Sequence, residues 1–145
     1  MNQRQAYLDL QKRQQEEITD FPIAYAFNNK QLEEALAKLG ATKDECVTYM
    51  GHGDILKRKD VPAFRAMLKR HLAELHEAMK NKEFAEAAFL YEMDNHEYAF
   101  NYDGDAEVMA CFALDEADIA EMGLTDAYRR ARRQHMRNAQ EWELN

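Results

Sequence analysis

The stretch Glu83-Phe84-Ala85-Glu86-Ala87-Ala88-Phe89-Leu90-Tyr91-Glu92-Met93-Asp94-Asn95 decides the fold. Wound as a helix, it is apolar on nearly every side. A helix without a broad polar face belongs at the centre of a packed domain. The rest of the chain must then supply the elements that cover it. Asn81-Lys82 separates this helix from the one before. That earlier helix opens at Asp60 with Pro62 in its first turn and presents Phe64, Met67, Leu68, Leu72, Leu75 and Met79 at spacings of three and four.

Toward the N-terminus, Asn2–Thr19 is rich in Gln, Glu, Arg and Leu and holds neither Gly nor Pro, a good helix composition. Phe21, Ile23, Tyr25 and Phe27 then alternate with smaller residues, a period of two that predicts a strand. Pro22 puts that strand at a sheet edge or at its own start. Asn28 or Asn29 can cap a helix over Lys30–Leu39, which Gly40 can close in the left-handed conformation. Thr42 with Glu45 forms a capping box for a short third helix. Tyr49–Leu56 reads as a glycine turn, Gly51-His52-Gly53-Asp54, with extended flanks.

Toward the C-terminus, Tyr98, Phe100 and Tyr102 alternate and predict a further short strand. Asp103-Gly104-Asp105 turns the chain into a helix around Ala106–Phe112. A short helix follows over Asp115–Glu121, ended by Gly123, and Thr125 caps a final helix reaching about Trp142. The expected fold class is helix-dominated α+β, with five to seven helices and a small antiparallel sheet of two or three short strands. A single domain over residues 1–145 is expected, with the final helix (about 125–142) as an appended interaction helix.

Charge is the second strong signal. His71–Asp126 carries fifteen acidic residues against two lysines, whereas the segments before and after it are each slightly basic; the chain as a whole has net charge −8. Such a surface repels phosphate backbones and favours basic partners or cations. Direct nucleic-acid binding is therefore not expected, and a basic protein partner is. The acidic face would consist of Glu83, Glu86, Asp103, Asp105, Asp115, Glu116 and Asp118. Arg129, Arg133 and Arg137 repeat every four residues on the final helix and, with the single tryptophan Trp142, suit a partner contact or a homo-oligomer. The N-terminus has no apolar signal-peptide core, and no apolar run reaches membrane-spanning length, so no membrane association and a cytoplasmic location are expected.

The chemistry-bearing residues are sparse. The chain contains no serine, and Cys46 and Cys111 are isolated, which fits two small reduced buried thiols better than a zinc motif or a disulfide. His71 and His135 sit on apolar helix faces and read as satisfied core or boundary histidines. Gly51–Asp54 lacks the helix and lysine of a phosphate loop and reads as a tight turn. Glu92 and His96 lie four apart on one helical face, with Glu97 adjacent. A carboxylate–imidazole cluster can take zinc or iron, but the paired Glu-x-x-His pattern of di-iron bundles is missing. Termination of the helix by Asn95 and His96 through side-chain hydrogen bonds is the competing explanation. The sequence leans away from an enzyme, and no cofactor is expected.

Several stretches together resemble an uncharacterised family of small acidic proteins. They are Phe21–Phe27 followed by Asn28-Asn29-Lys30-Gln31-Leu32-Glu33-Glu34-Ala35-Leu36, the glycine turn leading to Arg58-Lys59-Asp60, and Leu90-Tyr91-Glu92 with Asn95-His96-Glu97-Tyr98. The likeness spans roughly Asn2 to Ala117. That family is encoded by phages, conjugative elements and chromosomes of Gram-positive gut bacteria, and it carries no assigned activity. The resemblance implies a mobile-element context. With the charge, it leads to the expectation of a non-enzymatic protein-binding accessory protein, such as an inhibitor of a host defence nuclease. A metal-binding protein or metal-dependent enzyme centred on Glu92, His96 and Glu97 is the alternative, and a homo-oligomeric scaffold is the third reading.

Overall fold

A computed structural model describes the backbone of residues 2–96 and 102–144, and the side chains of residues 2–96 and 104–140. Among the described residues it has seven α-helices and one three-stranded antiparallel sheet, in the expected helix-dominated α+β class. The chain divides into two compact units, residues 1–11 with 72–145, and residues 12–71. The boundaries fall inside helix α1 (Gln3–Asp20) and helix α3 (Val61–Ala78).

The smaller unit contains the sheet. Strand β1 (Ile23–Tyr25) and strand β2 (Cys46–Val47) both pair with the central strand β3 (Asp54–Lys57), with Ile23 opposite Leu56 and Val47 also opposite Leu56. Ile23 and Leu56 bury against Phe64 and Met67 of α3. Ala24 packs with Ala35 and Leu39 of helix α2 (Asn29–Leu39). Asn28 caps α2, and Gly40 ends it at φ +63°.

Two sequence expectations are corrected in this unit, and a third at its boundary within α3. The strand foreseen over Phe21–Phe27 is shorter, because Pro22 has no N–H to offer and the Phe27 amide donates to Gln31 Oε1 at the helix cap. The Thr42–Glu45 capping box forms, but it starts only one 3₁₀ turn (Lys43–Glu45) before the chain enters β2. Leu72, expected on the apolar face of α3, is exposed, and His71 is the buried neighbour instead. Its Nε2 lies 3.1 Å from Glu17 Oε2, while Gln14 Nε2 donates to its carbonyl.

The glycine turn is organised by a carboxylate. Asp54 is fully buried and accepts from the Thr48 hydroxyl (3.0 Å) and from the amides of Tyr49 (2.8 Å), Met50 (2.9 Å) and His52 (3.2 Å). Gly53 adopts φ +81°, and a Cβ there would fall 2.5 Å from the Phe27 ring. The loop is a tight turn whose only carboxylate is already engaged.

The larger unit is built on helix α4 (Lys82–Asn95), capped by Asn81, which accepts from the amides of Glu83 and Phe84. Phe84, Ala85, Ala88, Phe89 and Met93 bury on it with Tyr7 and Leu10 of α1. Helix α5 (Tyr102–Ala110) and the turn after it add Val108, Met109 and Phe112; helix α6 (Glu116–Glu121) adds Ile119. Helix α7 (Thr125–Leu144) packs along α4 through Tyr128 and Ala131. The rings of Phe89, Phe112 and Tyr128 meet edge to face at about 5 Å. The turn foreseen at Asp103–Asp105 is instead the first part of α5. Burial of Val108 and Met109, and the Tyr128 hydroxyl donating to Asp105 (2.6 Å), outweigh the local Asp-Gly turn preference. Of the strand foreseen at Tyr98, Phe100 and Tyr102, the first two residues lie outside the described residues, and Tyr102 opens α5 instead. Among those described, no helix is long and apolar enough to cross a membrane.

Burial alone would raise the Asp54 carboxyl, but the amide and hydroxyl donors around it prevail and bring it down to about 2. A lowered carboxyl stabilises the fold above its unfolded value and stops doing so as pH falls toward the folded one. Asp54→Asn should therefore cost about 2 kcal/mol at pH 7 and flatten the stability loss between about pH 4 and pH 2. Urea titrations of both proteins across that range check it.

Candidate functional site

Helices α4 and α5 each carry two polar residues four apart, Glu92 and His96 on one, Glu107 and Cys111 on the other or in its closing turn. The spacing puts both members of each pair on one helical face, and the two faces meet. His96 Nε2 lies 3.1 Å from Glu92 Oε2 and 3.5 Å from Cys111 Sγ. One donor atom each from Glu92, His96 and Cys111 falls within 4.8 Å of the others. His96 Nδ1 lies 3.3 Å from Glu107 Oε1, so the imidazole is held on its far side by a second carboxylate.

Glu92 is the anchor. It follows Ala88 along α4 into the core, where it is only 5% exposed. A buried carboxylate needs donors. Tyr7 of α1 supplies one, its hydroxyl donating to Oε1 at 2.7 Å. Gln11 Nε2, one turn on, donates to the Tyr7 oxygen (2.8 Å) and to Oε1 (3.3 Å). Both donors converge on one oxygen, which leaves Oε2 facing His96. Burial, followed by the hydrogen bond to Glu92, pushes the Tyr7 hydroxyl up, so it stays protonated and remains a donor.

His96 caps the C-terminal end of α4, its amide donating to the Glu92 carbonyl. The competing reading had His96 end the helix through its side chain; instead its backbone amide makes the cap, and its ring meets the side chains of Glu92, Glu107 and Cys111. Cys46 and Cys111 are both free thiols, as expected, but neither is fully buried: Cys46 is half-buried and Cys111 is exposed. It sits in the turn after α5, where its sulfur reaches the His96 ring. Its thiol is pushed up to about 11, first by desolvation and then by the Glu92 charge.

The donor set suits a thiophilic or borderline divalent ion. In a tetrahedral zinc site, bonds of roughly 2.0–2.3 Å imply ligand atoms roughly 3.3–3.6 Å apart. The two separations from His96 Nε2, 3.1 and 3.5 Å, lie close to that range, and the third pair, Glu92 with Cys111, lies within 4.8 Å. Glu107 behind His96 reproduces the carboxylate–histidine arrangement that fixes the tautomer of a ligating imidazole. Of the residues foreseen for a metal, Glu92 and His96 come together, and Glu97 lies outside the described residues. Sequence reasoning missed Cys111 and Glu107. The signal was there: Glu107-x-x-x-Cys111 repeats the spacing of Glu92-x-x-x-His96.

Several carboxylates of the foreseen acidic face are engaged within the unit. Glu86 pairs with Arg130 (2.9 Å). Asp105 accepts from Tyr128 and lies 3.9 Å from Arg132. Asp115 and Asp118 cap α6 reciprocally. Asp94, also in the belt, accepts from the buried His135 ring at 2.6 Å. Glu83 and Glu116 are exposed. The Asp103 and Trp142 side chains lie outside the described residues. Arg129, Arg133 and Arg137 are exposed on α7, away from the side that packs on α4.

Residues 6–134 match the model of a family of unknown function, DUF7659. The match agrees with the expected likeness to an uncharacterised family and runs beyond Ala117 into α7. No curated protein and no solved structure matches the chain.

At pH 8 and without metal, iodoacetamide should alkylate Cys111 on the order of tenfold to a hundredfold more slowly than a free thiol. Glu92→Gln should accelerate it by removing the nearby charge. Peptide mapping by mass spectrometry, with Cys46 resolved separately, reads both rates.

Proposed function

The chain belongs to the DUF7659 family, and from that premise we propose that it is a metal-binding protein holding one zinc-class ion through Glu92, His96 and Cys111. The observation that carries this reading is the convergence of three chemically distinct donors from two helices within 4.8 Å. Thiolate with imidazole selects zinc or a similar transition metal over magnesium and calcium, which prefer oxygen donors throughout. Three protein ligands leave a coordination position for water or a small ligand, the pattern of reactive rather than purely structural zinc sites. When bound, the ion would act there as a Lewis acid. Tyr7 and Gln11 keep Glu92 in place, and Glu107 keeps His96 turned.

A second reading draws on charge. The larger unit holds eight basic and eighteen acidic residues. In this reading the protein is a cytoplasmic accessory protein of a phage or conjugative element, docking a basic partner such as a defence nuclease through exposed carboxylates including Glu83 and Glu116. Engagement of Glu86, Asp94 and Asp105 within their own unit weakens it relative to the metal reading.

Protein purified without an affinity tag should bind one equivalent of Zn²⁺, and Co²⁺ should give a thiolate charge-transfer band. His96→Ala and Cys111→Ser should abolish stoichiometric binding, and Glu107→Gln should weaken it about 10–100-fold. Isothermal titration and absorption spectra check these outcomes. Substoichiometric metal, or binding indifferent to His96→Ala, would overturn the reading. Capture of a basic protein that 0.5 M salt fails to release would argue against the charge-based alternative (about 4 Å screening length at that ionic strength).

A further inference from the structure

Strand β1 lies at the edge of the sheet, and its outward backbone groups can be counted. The Ala26 amide donates to the Gly53 carbonyl (2.9 Å), and the register sets Ala24 opposite Ile55. Alternation along an antiparallel pair then turns the N–H and C=O groups of Ala24 and Ala26 toward β3. Those of Ile23, Tyr25 and Phe27 turn away from it. The two flanking amides are satisfied within the chain: Ile23 donates to the Phe21 carbonyl (2.7 Å) and Phe27 to Gln31 Oε1 (2.8 Å). Between them, the N–H and C=O of Tyr25 face outward with no partner among the described residues. The side chains here are uncovered too. Tyr25 is 50% exposed and Phe27 75%. A groove of about 350 Å³ opens beside the strand, lined by Ala24, Tyr25, Gln31, Glu34, Ala35 and Lys38.

An open edge of this kind is a template for another extended backbone. A free N–H and a free C=O on one residue are complementary to a second copy of that residue. About a two-fold axis through Tyr25, each Tyr25 amide meets the carbonyl of the other, as in the hydrogen-bonded pair of an antiparallel ladder. The two Tyr25 rings then lie on one face as a cross-strand aromatic pair. Helix α2 adds a second self-complementary feature. Glu34 and Lys38 line the groove one turn apart, and neither makes an ion pair or side-chain hydrogen bond among the described residues. The same axis runs the two α2 helices antiparallel, which sets Glu34 of each copy toward Lys38 of the other. An unrelated charged ligand would meet both signs at once, whereas a second copy answers each with its opposite. We propose that the chain self-associates as a two-fold dimer through the β1 edge, joining two three-stranded sheets into one of six strands. The inference is independent of the metal site.

Sedimentation equilibrium of the full chain, from low-micromolar to submillimolar concentration, should show the mass rising from one chain toward two. Tyr25→Pro removes the outward N–H and leaves the ladder to β3 intact, so it should weaken association roughly tenfold to hundredfold. Circular dichroism reads whether that variant is folded. Glu34→Lys and Lys38→Glu change exposed positions. Each should weaken the dimer by placing like charges across the axis. Their equimolar mixture, with one variant isotope-labelled, should recover association as a mixed dimer in native mass spectrometry. Arg133→Glu on α7 should leave association unchanged. A single-chain mass at every concentration, a dimer indifferent to Tyr25→Pro, or charge variants that show no preference for each other would overturn the proposal.

Discussion

A carboxylate at the end of a central helix sets the terms for the larger unit. Glu92 lies in the core, where an unpaired charge would cost several kcal/mol. The fold answers with Tyr7, whose ring packs against Phe84, Tyr91 and Phe112 while its hydroxyl donates to Glu92. One residue thus joins the aromatic core to the polar site. Because Tyr7 and Gln11 both address Oε1, the second oxygen of Glu92 faces outward to His96. The position of α1, the burial of Glu92 and the direction of its free oxygen are consequences of the same pairing.

Acidity takes on a different meaning once the partners are known. Along the chain, the belt from His71 to Asp126 looks like one continuous surface. Folded, it separates into carboxylates with distinct tasks: Glu92 toward the metal-type cluster, Glu107 behind His96, Asp94 on His135, Glu86 on Arg130, Asp105 on Tyr128. The arginines of α7 reach part of this belt directly. Exposed ion pairs of this kind are individually weak, but they remove carboxylates from a docking face and align α7 along α4.

Much of the fold was legible because local rules and tertiary needs agreed. Asn28, Gly40 and Asn81 mark helix ends by capping chemistry that acts within a few residues. The all-round apolarity of α4 announced its central place. Legibility failed where distant packing decided: Asp103-Gly104-Asp105 carries a turn signal that α5 overrides, and the Phe27 amide leaves the strand for a helix cap. At the candidate site, Glu92 and His96 were visible as an i,i+4 pair. Glu107 and Cys111 share the same spacing, but the spacing by itself does not say that two helix faces fifteen residues apart will meet.

X-ray absorption at the zinc edge tests the central claim most directly. Metal bound by this protein should show one sulfur at about 2.3 Å and nitrogen or oxygen neighbours at about 2.0–2.1 Å, with the sulfur shell lost in Cys111→Ser. A shell of nitrogen and oxygen alone in the unsubstituted protein, or a sulfur shell that survives the loss of Cys111, would contradict it.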